Sequence, residues 1–442
     1  EVGHEDNLYH IETYGHPSKF GYKDFIPMWR AEKFDPDVML DAIANAGAKY
    51  FCPCAVHHDN FDLWDSKHHA WNAAKMGPKQ DIIGLLRDAT RRAGLRWGVT
   101  THLARSYSWF NVSHNSDAGG AYDGNDPAFE AFYHPSSGAD QSSWHPLNPP
   151  AAWRDQWRAR MVDLIDNYEP DLLYFDGALP FRGDDEFQSG MDVLAHYYNR
   201  SIERHGKLDS IMFIKDIDEF MGAHSHGLYC NNVASLDLEH HGANRLLYRP
   251  WQTDYSILKY GWSYNPSAEM YSAEEMIWLM ADIVSKNGMM LLNIPPAPSG
   301  ELEQRVVERL AEIGEWLRMN GEAIYGSRPF AAYGQDADIR YTVQGDVLYA
   351  IVRELPADGK LVLRSLGSDV DLSTEDVLIP EGVRYGATVQ GVELLATGET
   401  LAFEQTASKL TITGPSDRPA GVRDAVVFKI QCDRPMTPSW LP

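Results

Sequence analysis

Positive charge is scarce in this sequence: 39 Lys and Arg stand against 63 Asp and Glu, a formal net charge of −24 at neutral pH. Binding a nucleic acid needs clustered cations on phosphates, so this balance argues against such a partner. It argues equally against adsorption to an anionic membrane surface, and a neutral substrate fits better. No apolar run approaches the about 20 residues of a membrane span. The opening residues, Glu1-Val2-Gly3-His4-Glu5-Asp6, do not read as a signal peptide, which leaves a cytoplasmic protein or one whose leader has been removed. Cysteine is also sparse. Cys52, Cys54, Cys230 and Cys432 form no CxxC or Cys/His zinc pattern, and Cys52 and Cys54, two apart in an expected strand, share a face and are poorly placed to bridge. A Gly-rich phosphate-binding turn is missing as well, which weighs against a doubly wound nucleotide-binding sheet.

What is present is a long, folded, aromatic-rich chain. Its 442 residues are 44% hydrophobic and 12% aromatic, with 13 Trp and 22 Tyr. That excess suits either stacking on sugar rings or a large core. From about residue 34 to 326, short apolar runs alternate with helical periodicity: helices near 37–46, 81–93, 150–168, 190–205, 273–286 and 301–320, strands near 49–52, 96–100, 171–177, 210–214 and 289–294. Such repetition indicates a parallel sheet covered by helices, most simply a (β/α)8-like (TIM-type) barrel with its active site at the strand C-termini. The long Gly-, Asn- and Ser-rich stretch at 111–149 reads as a functional βα loop. Beyond Ser327 the runs Ile339–Val343, Val347–Val352, Leu361–Leu366, Leu394–Thr397 and Leu410–Thr413 suggest an antiparallel β-sandwich. The expected class is therefore α/β: a catalytic barrel over 1–326 and a C-terminal β-sandwich over 327–442.

Candidate chemistry gathers at strand ends. Asp176 follows the apolar run Leu172–Phe175 and precedes Gly177, with aromatic surface from Tyr174 and Phe175. A carboxylate there can cap a helix or stay solvated, or it can attack an anomeric carbon to form a glycosyl ester. His57-His58-Asp59 follows an early strand; its imidazoles can donate to sugar hydroxyls, ligate a metal or pack in a loop. Glu239 ends Leu236-Asp237-Leu238-Glu239, upstream of Pro250-Trp251-Gln252, and on its own reads as a solvated residue.

Taken together these fragments resemble the glycoside hydrolase family 29 α-L-fucosidases. The matching text includes Ala46-Gly47-Ala48-Lys49-Tyr50, His57-His58-Asp59 through Leu63-Trp64-Asp65-Ser66, and Gln80-Asp81-Ile82-Ile83-Gly84. It continues through Tyr168-Glu169-Pro170-Asp171 to Asp176-Gly177, Val284-Ser285-Lys286-Asn287-Gly288 to Asn293-Ile294, and Gly314-Glu315-Trp316 to Ile324-Tyr325. The resemblance implies an exo-acting, retaining α-L-fucosidase with Asp176 as nucleophile and Glu239 as acid/base, Glu219 and Asp237 being the rivals for the second role. It implies sugar contacts from His57, His58, Trp64, His102, Tyr174 and Trp251, no metal and no cofactor. The acid/base role would require a raised pKa at Glu239, supplied by burial and by the charge of Asp176. The expected partner is a fucosylated oligosaccharide or glycan, with no nucleic acid and no membrane; self-association as a homo-oligomer is left open. The family points to a secreted or periplasmic setting. Alternatives on the same scaffold are an α-L-galactosidase and a non-catalytic fucose-binding protein. Three departures from the family pattern stand out: the first barrel strand with its histidine is expected to be absent from the chain, Trp251 is followed by Gln252 rather than Glu, and Lys215-Asp216 replaces an arginine motif.

Overall fold

The computed structural model describes residues 2–137, 146–215, 227–229, 231–372 and 384–437. Asp216, Glu219 and Cys230 lie outside the described residues. The chain is α/β in class, a (β/α)8-like barrel followed by an antiparallel β-sandwich, and by contact density it divides into two compact units.

The first unit comprises Glu1–Ala44, Ala48–Ser235 and Pro296–Glu301. Tyr50–Phe51 and Cys54–Val56 both run parallel to Arg96–Thr101, which pairs in parallel with Leu172–Phe175, and that strand with Ile211–Ile214. All four residues of Leu172–Phe175 are buried, as expected of a parallel strand covered on both faces. The helices between strands follow from local sequence. Ile82–Arg92 starts where the Asp81 carboxylate accepts the Gly84 N–H, buries Ile82, Ile83, Leu86 and Ala89, and ends with Arg91 and Arg92 against its carbonyl terminus. Ala151–Tyr168 stops at Glu169, which is left-handed (φ 50°) and precedes Pro170.

The second unit comprises Asn45–Gly47, Leu236–Pro295 and Leu302–Pro442. Within it, Trp251–Ser256 lies in parallel between Ser235–Glu239 and Gly288–Asn293. Gly288 is demanded by this packing, because a Cβ there would meet the Trp251 ring at 2.5 Å. The helix Ala273–Ser285 opens on a capping box between Ser272 and Glu275. From Arg328 onward every described strand pair is antiparallel, with Arg328–Gln335, Ile339–Gln344, Val347–Val352, Val426–Cys432 and Val389–Leu394 in successive register.

Several expectations need adjustment. Glu5–Tyr14 is a helix that no periodicity announced, and it buries none of its residues. The 111–149 stretch holds short helical turns and the hairpin Ser116–Asp117/Gly120–Ala121 among its described residues. Leu361–Leu366 is strand only to Leu363, then a 3-10 turn, and the run at Leu394 is the end of a strand begun at Val389.

Candidate active site

Parallel strands in register bring the residues just beyond their C-termini to one level. Val56, Thr101, Phe175 and Ile214 are aligned across four neighbouring strands. The next residue on each is His57, His102, Asp176 and Lys215, so a carboxylate, two imidazoles and an ammonium converge at the rim where barrel enzymes carry their chemistry. Backbone bonds fix the level: the Asp176 N–H donates to the Thr101 carbonyl at 3.2 Å and the Lys215 N–H to the Gly177 carbonyl at 2.9 Å. Gly177, at φ 133°, makes the turn that aims the preceding carboxylate outward.

Asp176 is held on both oxygens. His102 Nδ1–H donates to Oδ2 at 2.8 Å, while Lys215 Nζ meets Oδ1 at 2.9 Å and the Tyr174 hydroxyl reaches the same oxygen at 3.4 Å. Burial alone would raise its pKa, but the hydrogen bond and charge of His102, then those of Lys215, hold the carboxyl well below the usual carboxylate range. His102 goes the other way. Burial opposes its charge, yet Cys54 and the Asp176 carboxylate outweigh burial and push it up to about 10.

The histidine pair is neutral by contrast. His58 is buried, its Nδ1–H donates to the His102 carbonyl at 2.9 Å, and burial takes its pKa down to about 4. Its Nε2 faces the guanidinium of Arg105 at 3.4 Å. His57 keeps its outer face open and stacks on His102 with centroids 4.4 Å apart; enclosure by surrounding protein and the charge of His102 lower its pKa. Ligand atoms of His57, His58 and His102 lie within 4.8 Å of one another, the spacing of a cation site, but His102 is protonated and gives its Nδ1–H to Asp176, so the neutral His57 and His58 are better suited to sugar hydroxyls.

Behind the pair, the 57–72 segment is clamped from the interior. Arg160, fully buried on the helix Ala151–Tyr168, donates to Asn60 Oδ1 at 2.7 Å and pairs with the buried Asp62. Asn60 in turn donates to the Phe132 carbonyl at 2.8 Å, and its own carbonyl meets His69 Nε2 at 2.8 Å.

Three sequence-derived candidates sit differently from expectation. Trp64 has no exposed surface and gives its indole N–H to Asp163 at 3.0 Å, so it packs the scaffold rather than a sugar. Trp251 is also fully buried and donates to the Lys286 carbonyl at 2.8 Å. It is the first residue of its strand, at the end opposite the one where barrel chemistry occurs. Glu239 is the last residue of Ser235–Glu239, at the chemically apt end of that strand, but it is exposed, contrary to the burial expected of it. Asp237 is buried and accepts from Gln252 at 2.7 Å. Arg105 carries no signal in the sequence, and Lys215, noted only as a replacement for an arginine motif, gains its role as the residue that follows the strand next to Leu172–Phe175.

The α-L-fucosidase family model matches residues 2–322. The plasma α-L-fucosidase of Rattus norvegicus is 30% identical over 363 residues, covering 79% of this chain and 69% of that protein. The tissue α-L-fucosidase of Bos taurus is 28% identical over 387 residues, covering 86% and 74%. Among solved structures, the Thermotoga maritima α-fucosidase in complex with fucose superposes with a TM-score of 0.69 at 28% identity, covering 96% of this chain and 84% of that one.

Proposed function

Because the chain belongs to the α-L-fucosidase family of glycoside hydrolases, we propose that it removes terminal α-L-fucose from glycans by double displacement, with Asp176 as nucleophile. The observation that carries this reading is the Asp176 carboxylate, kept ionised at a strand end by His102 and Lys215 beside two neutral histidines. The carboxylate attacks C1 of fucose, forming a glycosyl ester as the C1–O bond to the aglycone breaks. Glu239 protonates the departing oxygen, then takes a proton from the water that cleaves the ester, so fucose leaves with its starting anomeric configuration and both residues are restored. His57 orients fucose hydroxyls through its ring nitrogens, His58 through the Nε2 that also faces Arg105, and the Tyr174 hydroxyl steadies the nucleophile.

The parallel sheet ends with Gly288–Asn293 and a separate antiparallel sheet begins at Arg328, which supports a division into a catalytic barrel at 1–326 and a β-sandwich at 327–442. No helix of the described residues is long and apolar enough to cross a membrane, and relatives named as plasma enzymes support a secreted or periplasmic setting.

The test is hydrolysis of an aryl α-L-fucoside beside the matching α-L-galactoside, with the first-formed sugar followed by proton NMR. Initial α-fucose and a slow galactoside are expected. Initial β-fucose overturns the mechanism, and preference for the galactoside overturns the substrate.

A further inference from the structure

Five tryptophans, Trp64, Trp97, Trp157, Trp251 and Trp316, are less than 2% exposed. Trp109 is 40% exposed, in the segment that follows His102. That exposure is built rather than incidental. Trp109 ends the short helix Ser106–Trp109, whose Ser106 and Tyr107 are buried, and the next residue, Phe110, is buried too, so anchored neighbours on both sides present the indole outward. Arg105, one turn earlier, sets its guanidinium 5.2 Å from the indole centroid, a cation–π contact that limits the ring's freedom. The indole then borders the histidine pair. Its centroid is 5.2 Å from that of His58, His58 lies 4.2 Å from His57, and His57 lies 4.4 Å from His102, whose Nδ1 holds Asp176. An unbroken run of rings thus leads from the nucleophile to an open aromatic face.

We propose that Trp109, steadied by Arg105, is the platform for the leaving group: it stacks the apolar face of the first ring attached to fucose, in glycans a neutral pyranose. This rests on the fucosidase reading of the neighbouring site. A rigid aromatic face one ring beyond the fucose-facing histidines is suited to a second ring and has no hydrogen-bonding demand beyond one N–H, so it selects for a ring-shaped aglycone rather than for a particular hydroxyl pattern.

The test compares two fucosyl donors that share fucose and differ in aglycone: α-L-fucosyl fluoride, whose leaving group has no ring, and an aryl α-L-fucoside, whose leaving group does. The readout is the ratio of kcat/KM for the aryl fucoside to kcat/KM for the fluoride in wild type, Trp109→Ala and Trp109→Phe, with thermal unfolding confirming that each is folded. Stacking on an aromatic ring accounts for about a three- to tenfold fall of that ratio in Trp109→Ala, with most of it restored by Trp109→Phe. An unchanged ratio overturns the platform, whether both rates stay constant or fall together, since a parallel fall means that Trp109 only supports His58. A wild-type protein inert toward both donors overturns the fucosidase reading itself, and the platform with it.

Discussion

Asp176 sits between two cationic donors, and each oxygen already has a partner. This arrangement guarantees ionisation but draws on the charge that must attack, so Lys215 sets a balance between the two. Lys215→Met removes the cation on Oδ1 and must raise the Asp176 pKa. The active form is the ionised one, so the acid limb of kcat/KM against pH moves upward, by about 1–3 units for loss of a charge at contact distance. A pH–rate profile checks it, and an unmoved limb contradicts the assignment. The same sign governs stability. A carboxylate with a depressed native pKa stabilises the fold above its ordinary pKa, and that contribution fades as pH falls toward the native value. At His57, loss of one neutral hydrogen bond to the sugar predicts a two- to tenfold fall in kcat/KM, or roughly 0.5–1.5 kcal/mol, in His57→Ala; kinetics on an aryl fucoside measure it.

The 57–72 segment is an element held from behind by a buried ion pair. Arg160→Met leaves Asp62 buried without its cation and should cost about 3–5 kcal/mol, while replacing both by apolar residues of similar volume should recover most of the loss. Denaturant midpoints of the single and double variants decide this. It was at this scale that the sequence was most legible. Near-continuous apolar runs such as Leu172–Phe175 and capped helices such as Ile82–Arg92 carry their periodicity openly, and the strand ends that hold His57, His102 and Asp176 follow from them. Lys215 stood out only as a departure from an arginine motif; its place beside Asp176 depends on the register that sets Ile214 next to Phe175, which the sequence alone does not give. Trp64 and Trp251 looked like sugar platforms because an indole in a loop motif and one buried under a glycine read the same in one dimension; burial at Trp251 is fixed by Gly288, 37 residues later. The helix Glu5–Tyr14 escaped notice for lack of an apolar face, since it buries none of its side chains.

At the scale of the molecule, the net charge of −24 makes a prediction of its own. A neutral fucoside gains nothing from long-range steering, so its kcat/KM should change little between about 0.01 and 0.5 M salt, whereas a sulfated fucoside should be disfavoured at low salt and gain as screening rises. Within the second unit, Ile313, Trp316 and Leu317 of the helix Gln304–Asn320 share one core with Tyr349, Ile351 and Val427, and the Trp316 indole donates to the Ala425 carbonyl at 2.8 Å. A chain ending at residue 326 therefore strips that helix of its partners and should be aggregation-prone, which light scattering would reveal. The sandwich strands thus complete the core beneath this helix, whatever else they bind.

The central claim is that Asp176 forms the bond to fucose. Incubation with 2-deoxy-2-fluoro-α-L-fucosyl fluoride, followed by proteolysis and mass spectrometry, tests it at the atom concerned, because the fluorine slows hydrolysis of the ester and lets it accumulate. A single fluorofucosyl adduct on the peptide carrying Asp176, absent from folded Asp176→Ala, is the result expected. An adduct on another carboxylate, or steady turnover with no adduct at all, would contradict it.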